Sequence, residues 1–148
     1  MSVEVSVGIV LVGHGRTASE LLDAARSIVG ADALQGVVAV DAGRGETPQL
    51  GEELCAVIER VDVGAGVLVL VDLWGASPCA CAQREAAATC HQIVTLSGLN
   101  LAMLLKVAAL DRRRLDAEAL AQACADSGRR AVQVQRLADA SQRGESQA

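Results

Sequence analysis

The stretch GVLVLVDL, residues 66–73, is a continuous apolar run whose one charged residue is Asp72. An uninterrupted run of this length, rich in Val and Leu, is typical of a strand buried on both faces. Such strands occur in parallel sheets that helices cover on both sides. The stretch therefore predicts one strand of a parallel α/β sheet.

The segments around this stretch extend the pattern. Three more strands are predicted at 3–12, 36–42 and 91–98, and apolar residues at helical spacing separate them. This alternation predicts an α/β fold with a mostly parallel sheet of about four strands and helices on both faces. The segment AVQVQRL (131–137) alternates apolar and polar residues, which predicts a C-terminal edge strand exposed on one side.

Capping residues predict where the helices begin and end. Asn100 and Asp116 precede apolar helical segments, and Gly128 is placed to end the last helix as its C′ residue. Two further helices are predicted to start at Thr47-Pro48 and Ser77-Pro78, because each pair combines an N-cap residue with a first-turn proline.

Length and composition restrict the class of protein. The 148 residues suit one domain over 1–137, followed by a small, polar tail at 138–148 that we expect to be disordered. A net charge of −5 argues against nucleic-acid binding, and no apolar run reaches the length of a membrane span. The N-terminus is interpreted as a strand and not a signal peptide. Five cysteines without a secretory signal indicate reduced thiols and a cytoplasmic location.

A second stretch, VGHGRTA (12–18), places His14 directly after the first strand, as Asp72 follows the third. The carboxyl ends of parallel strands lie at one edge of the sheet, so the two side chains are expected to meet there. A carboxylate that accepts from Nδ1–H would direct the Nε2 lone pair outward, making His14 a nucleophile, a general base or a metal ligand. Gly13 and Gly15 would let a reactant approach the ring. The alternative is that these glycines simply form a strand-to-helix turn.

The stretch WGASP (74–78) adds a possible anion site. Ser77 is the predicted N-cap of a helix whose N-terminus would lie beside the imidazole, and free N–H groups there attract phosphate. By itself Ser77-Pro78 is an ordinary helix start. Together with a histidine and a carboxylate at the same edge, it predicts a phosphate site formed by Gly15, Gly75, Ala76 and Ser77.

Three segments carry a family resemblance, and they occur in the family's order: GIVLVGHGRTASELLDAA, GVLVLVDLWGASP and SGLNLAMLL. The sequence resembles the cytoplasmic enzyme IIA component of the mannose-family bacterial phosphotransferase system (PTS) over roughly residues 5–136. Two departures stand out. Ala76 occupies a position that is more often glycine in the family, and Cys79-Ala80 replaces Phe-Asn.

The resemblance implies a phosphoryl relay. His14 would accept a phosphoryl group on Nε2 from the phosphocarrier protein HPr and pass it to a IIB partner. In a purely regulatory role, another protein would read the phosphorylation state of His14. Asp72 would hold Nδ1, and Ser77 would bind phosphoryl oxygens, without a metal or organic cofactor. The family also dimerises by exchanging its last strand, where residues 131–137 stand in this chain. Trp74 and Arg16 are candidates for contact with a partner.

Three other functions share part of this sequence pattern. A tetrapyrrole metal chelatase can also begin with a strand running into a GHG motif. Such an enzyme needs a second metal-binding side chain, but the other histidine, His91, lies at the start of the fourth strand and so at the wrong edge of the sheet. A histidine phosphatase would need arginine where Gly13 stands. The phosphotransfer subunit of a dihydroxyacetone kinase shares the fold, yet WGASP fits the mannose family better. No metal site is expected from Cys79, Cys81, Cys90 and His91, whose spacing on a helix does not converge.

Overall fold

The computed structural model describes residues 5–44, 48–72 and 92–137. Its strands are β1 (Gly8–Gly13), β2 (Val38–Asp41), β3 (Val67–Val71) and β4 (Ile93–Ser97). Its α-helices are α1 (Thr17–Val29), α2 (Pro48–Val61), α3 (Leu101–Ala109) and α4 (Ala117–Arg130), and Asp32–Leu34 form a 3₁₀ turn. All strand pairs are parallel, in the order β2-β1-β3-β4. The predicted α/β fold with four parallel strands is confirmed.

The two central strands decide how the helices pack. Ile9 of β1 lies opposite Leu68 of β3, and the next pair is Val10 with Val69. Successive side chains of a strand point to opposite faces, so alternate residues enter two separate cores. One core contains Ile9 and Leu68 with α1, α3 and α4, and the other contains Val10 and Val69 with α2. Helices therefore cover both faces, as the sequence predicts.

The first strand is shorter than predicted. It begins at Gly8, because the first residue of β3, Val67, lies opposite Gly8 and offers no partner for earlier residues. Before it, Val5 is half exposed, while the Val7 N–H donates to the Arg112 carbonyl at 3.1 Å. The strand is therefore limited by its neighbour's length and not by its own apolar pattern.

Two of the predicted caps are present, and one helix end was predicted wrongly. Asn100 Oδ1 accepts from the Met103 N–H at 3.1 Å, and Asp116 Oδ1 accepts from the Ala119 N–H at 2.7 Å. Gly128, expected to end α4, lies inside the helix, which continues to Arg130. A Cβ on Gly128 would lie 2.6 Å from Met103 Cε, so this glycine allows α4 to pack closely on α3.

The expected C-terminal strand is absent from this chain's described sheet. Residues 132–136 have no regular structure, and their few backbone bonds return to the end of α4, as from the Val132 N–H to the Arg129 carbonyl. Val132, Val134 and Leu137 are 80%, 98% and 89% exposed. The alternation of apolar and polar residues cannot show whether another strand is available to pair with this segment.

The described cysteines differ from each other. Cys124 is a free, buried thiol, and burial raises its pKa to about 11. Cys55 is disulfide-bonded, so the expectation of reduced thiols is wrong for this residue. Helical periodicity placed Cys55 in α2 but could not show which sulfur approaches it in space. Within the described ranges, no helix is long and apolar enough to cross a membrane.

Several sequence predictions fall on residues outside the described ranges. They are the Thr47 cap, the helix from Ser77-Pro78, the placement of His91 and the disordered tail at 138–148. They remain predictions.

Candidate functional site

His14 and Asp72 meet at the carboxyl end of the sheet. Each follows one of two adjacent parallel strands, β1 and β3, and the Asp72 N–H continues the ladder by donating to the Val12 carbonyl at 3.2 Å. The Asp72 carboxylate lies 3.0 and 3.2 Å from His14 Nδ1 through its two oxygens. It also accepts from the His14 backbone N–H at 2.8 Å. One carboxylate thus holds both the backbone and the ring of the histidine.

This contact determines which ring nitrogen is available for chemistry. An ionised carboxylate can only accept hydrogen bonds, so in the neutral ring Nδ1 carries the hydrogen and Nε2 carries the lone pair. The His14 side chain is 45% exposed, whereas that of Asp72 is 19% exposed. A shielded carboxylate behind a solvent-facing imidazole is an arrangement suited to a nucleophile or general base.

Glycines shape the turn that carries His14. A Cβ on Gly13 would lie 3.1 Å from the Ala18 nitrogen, so a side chain there would crowd the tight turn into α1. Gly15 has φ +58°, in the left-handed region, and a Cβ on it would meet no described atom within 4 Å. Its backbone conformation, and not crowding by the described residues, is what favours glycine there.

A third anchor comes from β2, on the other side of β1. The Ala42 N–H donates to the Gly13 carbonyl at 2.8 Å, and the Gly15 N–H donates to the Gly43 carbonyl at 2.6 Å. The Asp41 carboxylate accepts from the Ser19 N–H at 3.0 Å and from its hydroxyl at 2.5 Å. Asp41 is not among the site residues predicted from the sequence. Its signal was the same as that of Asp72, an aspartate directly following apolar strand residues.

The start of α1 is bonded back to the histidine. The Thr17 hydroxyl and N–H both donate to the His14 carbonyl, at 2.6 and 3.1 Å. Arg16 instead forms an ion pair with Glu20 at 3.0 Å, and its side chain is 80% exposed. In this structure Arg16 is a solvated arginine beside the site, which leaves its partner contact as a prediction.

The other predicted site residues, Trp74, Gly75, Ala76 and Ser77, lie outside the described ranges. The structure therefore brings together His14, Asp72 and Gly15 from the predicted set. The Gly15 N–H is already donated to Gly43, so it is not a free donor for an anion. Among the described residues, no group of three His, Cys, Asp or Glu side chains could hold a metal ion.

Comparison with known proteins gives a consistent family match. The family model described as PTS system fructose IIA component, EIIA-man, matches residues 8–125. The PTS system mannose-specific EIIAB component of Escherichia coli K12 is 34% identical over 102 residues, or 68% of this chain. That match covers 31% of the E. coli protein, so the chain spans about a third of the length of the curated relatives it matches.

Solved structures agree in fold. The mannose/sorbose specific IIA subunit of the phosphotransferase system from Enterococcus faecalis superimposes with a TM-score of 0.70 at 30% identity, covering 89% of this chain and 96% of that one. The phosphotransferase system component EIIA from Streptococcus agalactiae gives 0.69 at 23% identity, covering 86% and 96%. The second likeness bears on the fold alone.

Proposed function

We propose that this chain, which belongs to the EIIA-man family of PTS IIA components, carries a phosphoryl group on Nε2 of His14. The observation that carries this proposal is the contact of Asp72 with His14 Nδ1 at 3.0 Å, while the ring is partly exposed. Neither the family match nor the described residues support the tetrapyrrole chelatase.

The transfer we propose is an in-line displacement between two imidazoles. The Nε2 lone pair of His14 attacks the phosphorus of a phosphohistidine donor, the new N–P bond forms, and the donor's N–P bond breaks with its electron pair returning to the donor ring. His14 keeps its Nδ1 hydrogen, so its ring becomes cationic when Nε2 is phosphorylated. The Asp72 carboxylate, already in contact with Nδ1, stabilises that charge. No proton needs to leave the site during the transfer.

The phosphoryl oxygens need hydrogen-bond donors that are not already in use. The N-terminus of α1 is a poor candidate, because the Ser19 N–H is bonded to Asp41, whose negative charge would repel a phosphoryl group. The Gly15 N–H is bonded to Gly43. We therefore assign oxygen binding to Ser77, as the family resemblance implies, together with the backbone of Gly75 and Ala76 beside it.

The donor in this proposal is HPr, and phosphorylated His14 either passes the group to a IIB partner or is recognised by a regulatory target, in the cytoplasm. The E. coli relative is named as an EIIAB component, and this chain matches about a third of its length. Sugar transport and a purely regulatory role both use the same chemistry at His14. The partner of phosphorylated His14, and not the histidine itself, distinguishes the two roles.

The test of this function is the intact mass of the protein after incubation with phosphoenolpyruvate, enzyme I and HPr at neutral pH. The expected result is one added, acid-labile phosphoryl group. It should be absent from His14→Ala and present in His91→Ala, the matched control at the chain's other histidine. No gain of mass, with HPr itself shown to be phosphorylated, would overturn the proposal.

A homodimer formed through residues 131–137 is part of the proposal. β4 is the last strand in the described order, and it pairs with β3 on one side. Near this edge a cavity of about 290 Å³ is lined by residues including Leu96, Ser97 and Val132. Pairing residues 131–137 with the β4 edge of a second copy would cover apolar side chains that this chain leaves exposed.

Light scattering coupled to size-exclusion chromatography tests the dimer. We expect the natural chain to run as a dimer and Val134→Lys to run as a monomer, because a charge at this position opposes burial. Val63→Lys is the matched control, since Val63 is also an exposed valine, 45% accessible, but lies between α2 and β3. A natural chain that is monomeric at all concentrations would contradict the dimer while leaving the phosphocarrier proposal untouched.

A further inference from the structure

The turn that carries His14 is held from two sides by carboxylates, and Asp41 is the one with no assigned role. Asp41 is the last residue of β2 and lies opposite Gly13 in the parallel register. Its carboxylate reaches across the end of β1 and accepts two hydrogen bonds from Ser19, at 3.0 Å from the N–H and 2.5 Å from the hydroxyl. A charged acceptor makes both bonds stronger than neutral ones.

Helix α1 depends on this contact for its start. Its own N-cap residue, Arg16, makes no side-chain capping bond. The carboxylate of Asp41, at the end of β2, accepts instead from the Ser19 N–H, which belongs to the first turn and has no partner within the helix. The negative charge also complements the positive end of the helix dipole. Asp41 thereby fixes where α1 begins relative to the sheet.

The start of α1 is in turn bonded to the histidine. Thr17 donates twice to the His14 carbonyl, and the bridge between Gly15 and Gly43 closes the turn against the end of β2. His14 is thus fixed at its N–H and ring by Asp72, and at its carbonyl by a helix start that Asp41 holds. A shift of α1 would move the His14 backbone and with it the imidazole.

We propose that Asp41 is a positioning residue for His14, acting through Ser19 and the first turn of α1 to keep Nε2 in line for phosphoryl transfer. This inference rests on the proposed phosphocarrier function. Small errors of position at a reacting atom are costly, because in-line displacement depends on alignment. Asp41 touches neither the imidazole nor, on this proposal, the phosphoryl group.

The experiment compares Asp41→Ala, Asp41→Asn and Ser19→Ala with the natural chain. Asparagine keeps an oxygen that can accept from the Ser19 N–H, so this variant should fold even if the alanine variant does not. Asp23→Ala is the matched control, because Asp23 is an exposed carboxylate on the same helix. The first readout is the rate of phosphoryl gain from phospho-HPr, measured over a range of donor concentrations.

The second readout is the pair of ¹⁵N chemical shifts of the His14 ring nitrogens, which report the tautomer without any phosphoryl transfer. For Asp41→Ala we expect a rate at saturating donor about tenfold lower, an unchanged donor KM, and ring shifts that move toward a mixture of tautomers. Asp41→Asn and Ser19→Ala should lie between it and the natural chain. Asp23→Ala should match the natural chain in both readouts.

The two readouts separate the possible failures. If the natural chain accepts no phosphoryl group, the proposed function fails, and the ring shifts still test whether Asp41 positions His14. If the folded Asp41 variants keep the natural rate and the natural ring shifts, the positioning role is overturned. A raised donor KM with an unchanged rate at saturating donor would also overturn the positioning role, because it would place Asp41 in donor binding.

Discussion

The strands β2 and β3 flank β1, and an aspartate stands at the carboxyl end of each, yet the two carboxylates serve different groups. Asp72, just after β3, bonds the ring and the backbone of His14. Asp41, the last residue of β2, bonds the backbone and the hydroxyl of Ser19 at the start of α1. Position at the sheet edge is therefore not enough to make a carboxylate part of the chemistry. The group that it contacts decides whether it orients the reacting ring or the turn beneath it.

The largest effect that separates the two carboxylates is expected for Asp72→Asn. An amide can donate to Nδ1 and thereby favour the tautomer with hydrogen on Nε2, which blocks the attacking lone pair. We expect the rate of phosphoryl acceptance to fall by between about 10- and 10⁴-fold, the range seen when the partner of a functional histidine is altered. The measurement is the single-turnover rate with excess phospho-HPr.

Asp126→Asn is the control for that experiment, because Asp126 is an exposed carboxylate of α4 whose ion pair with Arg129 spans 3.5 Å. It should leave the rate unchanged. If Asp72→Asn were no slower than this control, or if Asp41→Asn were slower than Asp72→Asn, the division of roles between the two aspartates would be wrong.

A moderate effect is expected for Gly15→Ala. Gly15 lies in the turn between His14, which Asp72 contacts, and Ser19, which Asp41 contacts. The left-handed φ of +58° disfavours any residue with a Cβ, so the free energy of unfolding should fall by about 1–2 kcal/mol even though the added methyl meets no described atom within 4 Å. Urea denaturation measures it. Gly51→Ala is the paired control, since Gly51 lies inside α2 and a Cβ on it would also meet no described atom within 4 Å, and there alanine should raise stability by about 0.5–1 kcal/mol.

Equal and favourable effects of both alanines would show that the turn can relax without its left-handed residue. In that case the rigidity attributed to the His14 turn, and with it the argument that Asp41 acts through that turn, would lose its support.

The smallest effect is expected at Cys124, which belongs to α4 and contacts neither carboxylate. Burial raises the pKa of its thiol to about 11, so at pH 8 almost none is thiolate in the folded chain, and the reactive form increases only as pH rises toward that value. We expect Cys124 to resist iodoacetamide at pH 8 until urea unfolds the chain. Peptide mass mapping measures this, and Cys124→Ala should keep the natural rate of phosphoryl acceptance. Rapid native alkylation would contradict the expectation.

The sequence predicted those features that depend on one segment or on strand ends. Continuous apolar runs located β1 and β3, and the rule that parallel strands end at one edge brought His14 to Asp72. Asn100 and Asp116 were identifiable because a cap acts within its own helix.

The missed features depend on contacts between distant segments. Gly128 was interpreted as a helix end because nothing local showed that Met103 would pack against it. Asp41 stands at a strand end as Asp72 does, but its partner, Ser19, belongs to no motif that suggests chemistry, so nothing singled Asp41 out. Nothing local in α2 indicates the disulfide at Cys55, and the strand pattern at 131–137 carries no information about a pairing partner.

The contact between His14 and Asp72 joins residues 58 positions apart, so it can form only after both segments have been synthesised and brought together by folding. During synthesis His14 emerges long before its carboxylate, and the ring can acquire a fixed tautomer only after β3 has been made and paired with β1. Closing so long a loop is favourable only when the buried strands are in place. A nascent or unfolded chain therefore offers a donor an unoriented histidine. If His14 carries the phosphoryl group as proposed, its ability to accept that group depends on prior pairing of β1 with β3.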